Sequence, residues 1–336
     1  MERAERGSPR SGCYGYVDVS EDYLLAVWPV AFEQLLCDQT TGRNIFWATD
    51  DYAAMGDGYG WHDPIVPSRV TGGHGHVVMP RILKSKELQT LRVKGRGEVF
   101  TPAWMCNHQN NLVDEAWFGR KDVFNRETAS GGQRSWDVSA GRVAFPEGKS
   151  WRDYVAEERL EITCGEAPYL VSRYDVATGE PIELSRRIGL LDRKLRIVSE
   201  NTAAPTEWLR WAHVALRSVY GFEWQGDNLL IARENVLTSF IDYYVAKFGR
   251  LPQGRSVFFA AYAISWNIWQ MDGLRGVVPG SCHPEKDLFG QDSAPCRGCA
   301  EGNIRLHNGT YCEISDWRAG KPPKKRIRFI DINKNA

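Results

Sequence analysis

From residue 159 onward the chain alternates between extended and helical text, and this constrains its fold more than any other feature. Residues 159–163 read as a strand that closes on a Cys164-Gly165 turn. Residues 207–218 read as a helix, 219–224 as a second strand and 228–248 as a long helix. Strands separated by helices pair in parallel, because a parallel neighbour requires a crossover connection. The expected class is therefore α/β, a mostly parallel sheet with covering helices. The polar stretch 175–196 reads as an excursion. At 336 residues and 43% hydrophobic composition, the chain is long enough for one large domain plus a smaller module.

Upstream the text is more broken. Residues 1–16 are rich in Gly, Ser, Arg and Glu without apolar periodicity, so disorder is expected over 1–20. Leu24, Leu25, Val27, Trp28, Val30, Phe32, Leu35 and Leu36 predict a helix broken or kinked near Pro29. A Thr40-Thr41-Gly42 turn precedes a strand predicted over 44–49, and the Gly-dense stretch 56–75 implies loops. These make an N-terminal α/β region over 21–95. His74 and His76 have same-strand-face spacing, which suits a metal pair or ordinary loop hydrogen bonding. Residues 84–94 form a basic helix broken by Gly95 and Gly97, 103–118 a further helix, and 121–153 a polar linker or surface excursion. No internal repeat is visible.

The formal net charge is zero, so affinity for nucleic acid has to come from local patches. No run of about 18 apolar residues occurs and no apolar N-terminal stretch resembles a signal peptide, which predicts no membrane contact and a cytoplasmic location. Thirteen tryptophans point to core and interface packing. The dense basic run Arg318, Lys321, Lys324, Lys325, Arg326 and Arg328 is either a solvated face or a phosphate-neutralising one, with Lys324, Lys325 and Arg326 as DNA-contact candidates.

Cys296-Arg297-Gly298-Cys299 places two sulfurs two residues apart, the spacing with which a tight turn offers both to one tetrahedral ion; Cys282 and Cys312 flank it. A four-thiolate zinc site in a Cys-rich insert over 281–316 is the expectation, with His283 or His307 as substitute ligands. Free buried thiols and a redox pair are the alternatives. A basic C-terminal segment with a closing strand follows over 317–336.

A nucleoside cofactor in an open α/β sheet sits at the carboxyl ends of the strands, where a small residue permits close approach and an acid on the next strand holds the ribose. Gly165 and Glu223 meet those needs. Three motifs in order then carry a resemblance: Glu98-Val99-Phe100-Thr101-Pro102; Leu160-Glu161 with Cys164-Gly165 and Tyr169-Leu170; and Tyr220-Gly221-Phe222-Glu223, followed by Ala232-Arg233-Glu234-Asn235. The series resembles N6-adenine DNA methyltransferases, particularly modification (M) subunits of restriction systems, over residues from about Phe32 to the C-terminus. The resemblance implies a Rossmann-like methyltransferase sheet over 96–280. It also implies S-adenosyl-L-methionine held by Phe100, Thr101, Pro102, Glu161, Cys164, Gly165, Glu223, Trp224 and Asp272. DNA would be the substrate, with a specificity or catalytic partner subunit. Ile162 stands where the family has Pro, and Ala167 where it has a second Gly, so the loop is expected to be reshaped. The Asp/Asn-Pro-Pro-aromatic tetrapeptide that grips the target adenine is missing; the only adjacent prolines, Pro322-Pro323, lie between lysines. No catalytic residue is assigned. The rival reading is a catalytically inactive DNA-associated or assembly protein that keeps the pocket. A nucleotide-dependent oxidoreductase is disfavoured, since no Gly-x-Gly-x-x-Gly follows a strand.

Overall fold

The computed structural model describes residues 17–96, 98, 101–317 and 326–334. Most of the stretch expected to be disordered, 1–16, lies outside them.

Ser20 caps α1 (Glu21–Val27), and α2 (Pro29–Leu36) begins at Pro29, where a helix needs no N–H donor. The predicted break thus falls where the ring requires it. A short hairpin, β1 (Cys37–Asp38) and β2 (Arg43–Asn44), turns around the Asp38 carboxylate, which accepts from Thr41 N and Oγ1. The strand predicted over 44–49 ends almost as it begins. Beyond Asn44 the chain bonds irregularly to 61–65, with Trp47 N donating to Asp63 O and Ala48 N to Trp61 O, while the Gln270 side-chain amide accepts from Phe46 N at 3.1 Å and donates to Phe46 O at 2.8 Å, as a neighbouring strand would.

Helix α3 (Pro67–Val70) follows, then α4 (Lys86–Arg96) and α5 (Ala103–Phe118); α5 is as predicted, whereas α4 runs through Gly95, which was expected to break it. The stretch 121–153, expected as a linker or surface excursion, holds a largely exposed antiparallel hairpin, β3 (Asn125–Ser130) with β4 (Gln133–Val138), and the start of α6 (Trp151–Ala156).

The alternation beyond residue 159 is present. Strand β5 (Arg159–Glu161) is followed by α7 (Leu190–Asn201), α8 (Pro205–Arg217), β6 (Val219–Glu223), α9 (Gly226–Phe248), α10 (Gly254–Asn267) and β7 (Ile268–Gln270). The three strands pair in parallel in the order β5-β6-β7, with Leu160 opposite Tyr220 and Phe222 opposite Trp269. This is the largest sheet among the described residues; the others have two strands each, so the class is mixed helix and sheet with small sheets.

Helix α7 lies largely inside the predicted polar excursion. Its charges mislead because they are buried: Arg193 pairs with Asp114, and Lys194 Nζ donates to Ser218 Oγ and to the Glu157 carbonyl. Helix α9 is buried from Gly226 to Tyr244 and anchors the core. Its Arg233 donates to the carbonyls of Ile268, Leu35, Cys37 and Ser265, tying the N-terminal region to the sheet; burial lowers this guanidinium to about 10.

The last elements are β8 (Glu285–Lys286), β9 (Asp292–Ala294), α11 (Arg297–Glu301), β10 (Glu313–Ser315) and β11 (Arg326–Arg328). The expected closing strand is β11, antiparallel to β10 with Glu313 opposite Arg328.

Candidate functional site

Each parallel strand delivers one acid near its carboxyl end: Glu161 ends β5, Glu223 ends β6, and Asp272 lies two residues beyond β7. All three line one cavity of about 580 Å³. Thr101, Cys164, Gly165 and Trp224 line it too, so seven of the nine expected cofactor residues meet in one place. Of the other two, Phe100 lies outside the described residues. Pro102 departs from expectation: it serves as the N-cap of α5 and is not part of the cavity wall, because the chain turns into the helix there. Gln225 and Asn228, at the start of α9, also line the cavity and were not foreseen; their position just after Tyr220-Gly221-Phe222-Glu223 was the available signal. Apolar Ile162 and Leu274 stand at its edge, 70% and 91% exposed.

The acids brace the loop they surround. Glu223 Oε2 accepts from Gly165 N at 3.0 Å and its Oε1 from Gln225 N at 3.2 Å, while Glu161 accepts from Tyr169 N and Leu170 N. Burial nevertheless dominates at Glu223, raising its carboxyl to about 7 against the lowering effect of those N–H groups. Glu161 is likewise pushed up by burial. Thr163, Gly165 and Ala167 adopt φ of +47°, +52° and +64°. Ala167 thus holds a left-handed backbone despite its Cβ. The strain is of order 1–2 kcal/mol per non-glycine residue.

Behind the wall lies a buried ion cluster that sequence reading missed. Asp227 Oδ2 accepts from Tyr52 Oη at 2.7 Å, Lys84 Nζ at 2.8 Å and Arg92 Nη2 at 2.7 Å. Arg92 also reaches Asp51, Gln225 and the cavity-lining Glu98. Although burial opposes it, the cationic pair holds the Asp227 carboxyl well below the usual range. The cluster fixes the N-terminal region against the start of α9.

A second cluster joins Cys282, Cys296, Cys299 and His307, whose ligand atoms lie within 4.8 Å of one another and are able to hold a metal ion. His307 Nδ1 is 3.5, 3.6 and 3.6 Å from the three sulfurs. Asn308 N donates to Cys296 Sγ at 3.3 Å. Gly298 is required by close approach: a Cβ there would lie 2.5 Å from His307 N and 2.6 Å from Nδ1. Cys312, the fourth ligand expected from sequence, is not in the cluster. It is fully buried in an apolar group with Phe222, Trp269 and Ile314, and its Sγ donates to the Gln270 carbonyl. Just before β10 its carbonyl accepts from Phe329 N, holding it in the core, and His307, one of the two named substitutes, takes the position; His283, the other, is not in the cluster.

Of the DNA-contact candidates, Lys324 and Lys325 lie outside the described residues, as do Arg318, Lys321 and Pro322-Pro323. Arg326 sits in β11, 3.5 Å from Glu313 and stacked over Trp266 at 5.3 Å. His74 packs by the Tyr59 ring at 5.9 Å. No helix among the described residues is long and apolar enough to cross a membrane. Comparison with protein-family models, with curated proteins and with solved structures gave no match.

Proposed function

We propose that the cavity at the ends of β5, β6 and β7 binds S-adenosyl-L-methionine, and that the chain is a DNA adenine-N6 methyltransferase-like subunit of a restriction-modification or related defence system that acts with a partner. The observation that carries this reading is the convergence of Glu161, Glu223 and Asp272, one from each of three adjacent parallel strands, on one cavity beside Gly165. In an open parallel sheet that is where a nucleoside sits. A Rossmann-like arrangement is the natural extension of this three-stranded unit. The expected cofactor supplies a sulfonium methyl group. On this reading Glu223, with carboxylate lone pairs beyond those used by Gly165 and Gln225, would accept from the ribose hydroxyls, and Asp272 would contact the adenine.

Transfer to an amine needs the lone pair aligned and carbonyl acceptors supporting the developing charge. The sequence lacks the tetrapeptide that supplies these groups and stacks a flipped base, so a partner subunit would bring them. The same gap favours the second reading, an inactive DNA-associated or assembly protein that retains the pocket. Calorimetry with S-adenosylhomocysteine tests the shared part. Binding by the wild type, weakened by about 1.5–3 kcal/mol in Glu223→Ala, is expected; no binding by the wild type rejects both readings. Turnover of adenine-containing DNA by the isolated chain at about 1–10 per second would reject the need for a partner.

The second cluster is proposed to hold zinc. Bonds of about 2.3 Å to sulfur and 2.0–2.1 Å to nitrogen in a tetrahedron put nitrogen about 3.6 Å from each sulfur. The three observed distances are 3.5–3.6 Å. Four protein ligands leave no open position, which suits a structural role, and a reducing cytoplasm would keep the thiols available.

A further inference from the structure

The metal cluster and the nucleoside cavity are joined by a short, continuous set of backbone contacts. We infer that the metal centre positions the Asp272–Leu274 wall of the cavity through Tyr311, so that nucleoside binding depends on metal occupancy; this rests on both readings above.

The connection begins at a ligand. His307 N donates to Tyr311 Oη at 2.9 Å, and Tyr311 Oη donates to Ile304 O at 3.0 Å, so one hydroxyl pins both ends of the His307 loop. Tyr311 bridges Val277, and Val277 bridges Asp272. The next contacts are as tight: Asp272 N to Val277 O at 2.8 Å, Gly276 N to Asp272 O at 2.7 Å, Cys312 N to Gly276 O at 3.0 Å and Val278 N to Thr310 O at 2.8 Å. The turn that presents Asp272, Gly273 and Leu274 to the cavity is therefore laced to the strand-like segment leaving the metal cluster. A second lining residue is reached as well. Gly280, two residues before Cys282, would meet Trp61 at 2.6 Å if it carried a Cβ, and Trp61 packs edge-on to the cavity-lining Trp224 at 6.4 Å between ring centroids.

The metal matters at the start of this connection, where little else holds the ligand-bearing loops; at its far end Val277, Val278 and Cys312 are buried against the sheet. Residues 283–295 are exposed throughout. Binding free energy at such a site becomes ordering free energy for the chain around it. A ligand that meets an ordered wall binds more tightly than one that has to order it, which is positive coupling between the two sites.

The test uses the full chain, zinc-loaded and chelator-stripped. Two readouts are taken: hydrogen exchange at amides 272–278, which needs no nucleoside, and S-adenosylhomocysteine affinity. Stripping should speed exchange over 272–278 while α9 amides remain protected, and weaken nucleoside affinity about tenfold or more, with zinc restoring both. Tyr311→Phe isolates the connection from loss of metal. It should retain one zinc per chain by elemental analysis yet show faster exchange at 272–278. Unchanged exchange over 272–278 in either the stripped protein or the metal-loaded variant overturns the inference. Failure of zinc-loaded protein to bind nucleoside rejects the pocket reading instead, and the exchange data still decide the coupling.

Discussion

His307→Ala and Cys312→Ala, made separately, distinguish metal binding by the Cys282, Cys296, Cys299 and His307 cluster from binding by the four thiolates that the cysteine spacing suggests. In His307→Ala the tetrahedron loses its only nitrogen, which lies 3.5–3.6 Å from all three sulfurs. A structural zinc site is worth about 10–16 kcal/mol in apparent binding free energy. Losing roughly a quarter of that, about 2.5–4 kcal/mol, weakens zinc affinity about 10²- to 10³-fold. In Cys312→Ala the deleted Sγ lies fully buried beside Phe222 and Trp269 and bonds only the Gln270 carbonyl. Its loss should cost about 1 kcal/mol of stability, like a one-methylene deletion in a core, and leave the metal untouched. The assay is elemental analysis after dialysis against a competing chelator, paired with denaturant unfolding. One zinc per chain in Cys312→Ala and substoichiometric zinc in His307→Ala is the expected pair of results. The reverse pattern, or full zinc in both variants, refutes the assignment.

Three further outcomes follow from the site's surroundings. Asp227→Asn leaves Lys84 and Arg92 buried without their shared carboxylate, so unfolding free energy should fall by about 3–5 kcal/mol in urea; a loss below 1 kcal/mol would show that the cluster is not electrostatically closed. Thr163 is β-branched, exposed and at φ +47°, and asparagine tolerates that region better, so Thr163→Asn should stabilise by about 0.5–1 kcal/mol; a net destabilisation would mean the threonine makes compensating contacts. Glu223 has its carboxyl raised from 4.5 to about 7, so between those values the folded state binds more protons than the unfolded chain. Its contribution is thus fully present below pH 4.5 and is lost as pH rises to about 7, at up to about 1.4 kcal/mol per pH unit. Glu223→Gln should flatten wild-type stability over that window in urea titrations at pH 5 and 7, and parallel curves for the two proteins would sink the assignment.

The sequence by itself determined the parts of this protein that depend on local text. The break at Pro29, the helix Ala103–Phe118, and the order of β5, β6 and the helices around them follow from ring geometry, apolar periodicity and the need for crossovers between parallel strands. Part of the cavity was legible for the same reason: Gly165 and Glu223 sit at strand ends, and strand ends on one edge of a parallel sheet converge, whereas Glu161 was named only through the resemblance. Tertiary structure alone decided the rest. Whether a charge is outside or buried cannot be read from its neighbours, so α7, with Asp192, Arg193 and Lys194 all buried, read as a polar excursion. The Phe46 backbone found its partner in the side chain of Gln270, 224 residues away, and no local pattern announces such a substitute strand. Cys312 and His307 were both named as possible ligands; the packing of Cys312 among Phe222, Trp269 and Ile314, and the close approach at Gly298 that admits the His307 ring, made the choice. Spacing limits which ligands a turn can offer, but packing fixes which of them face the same point in space.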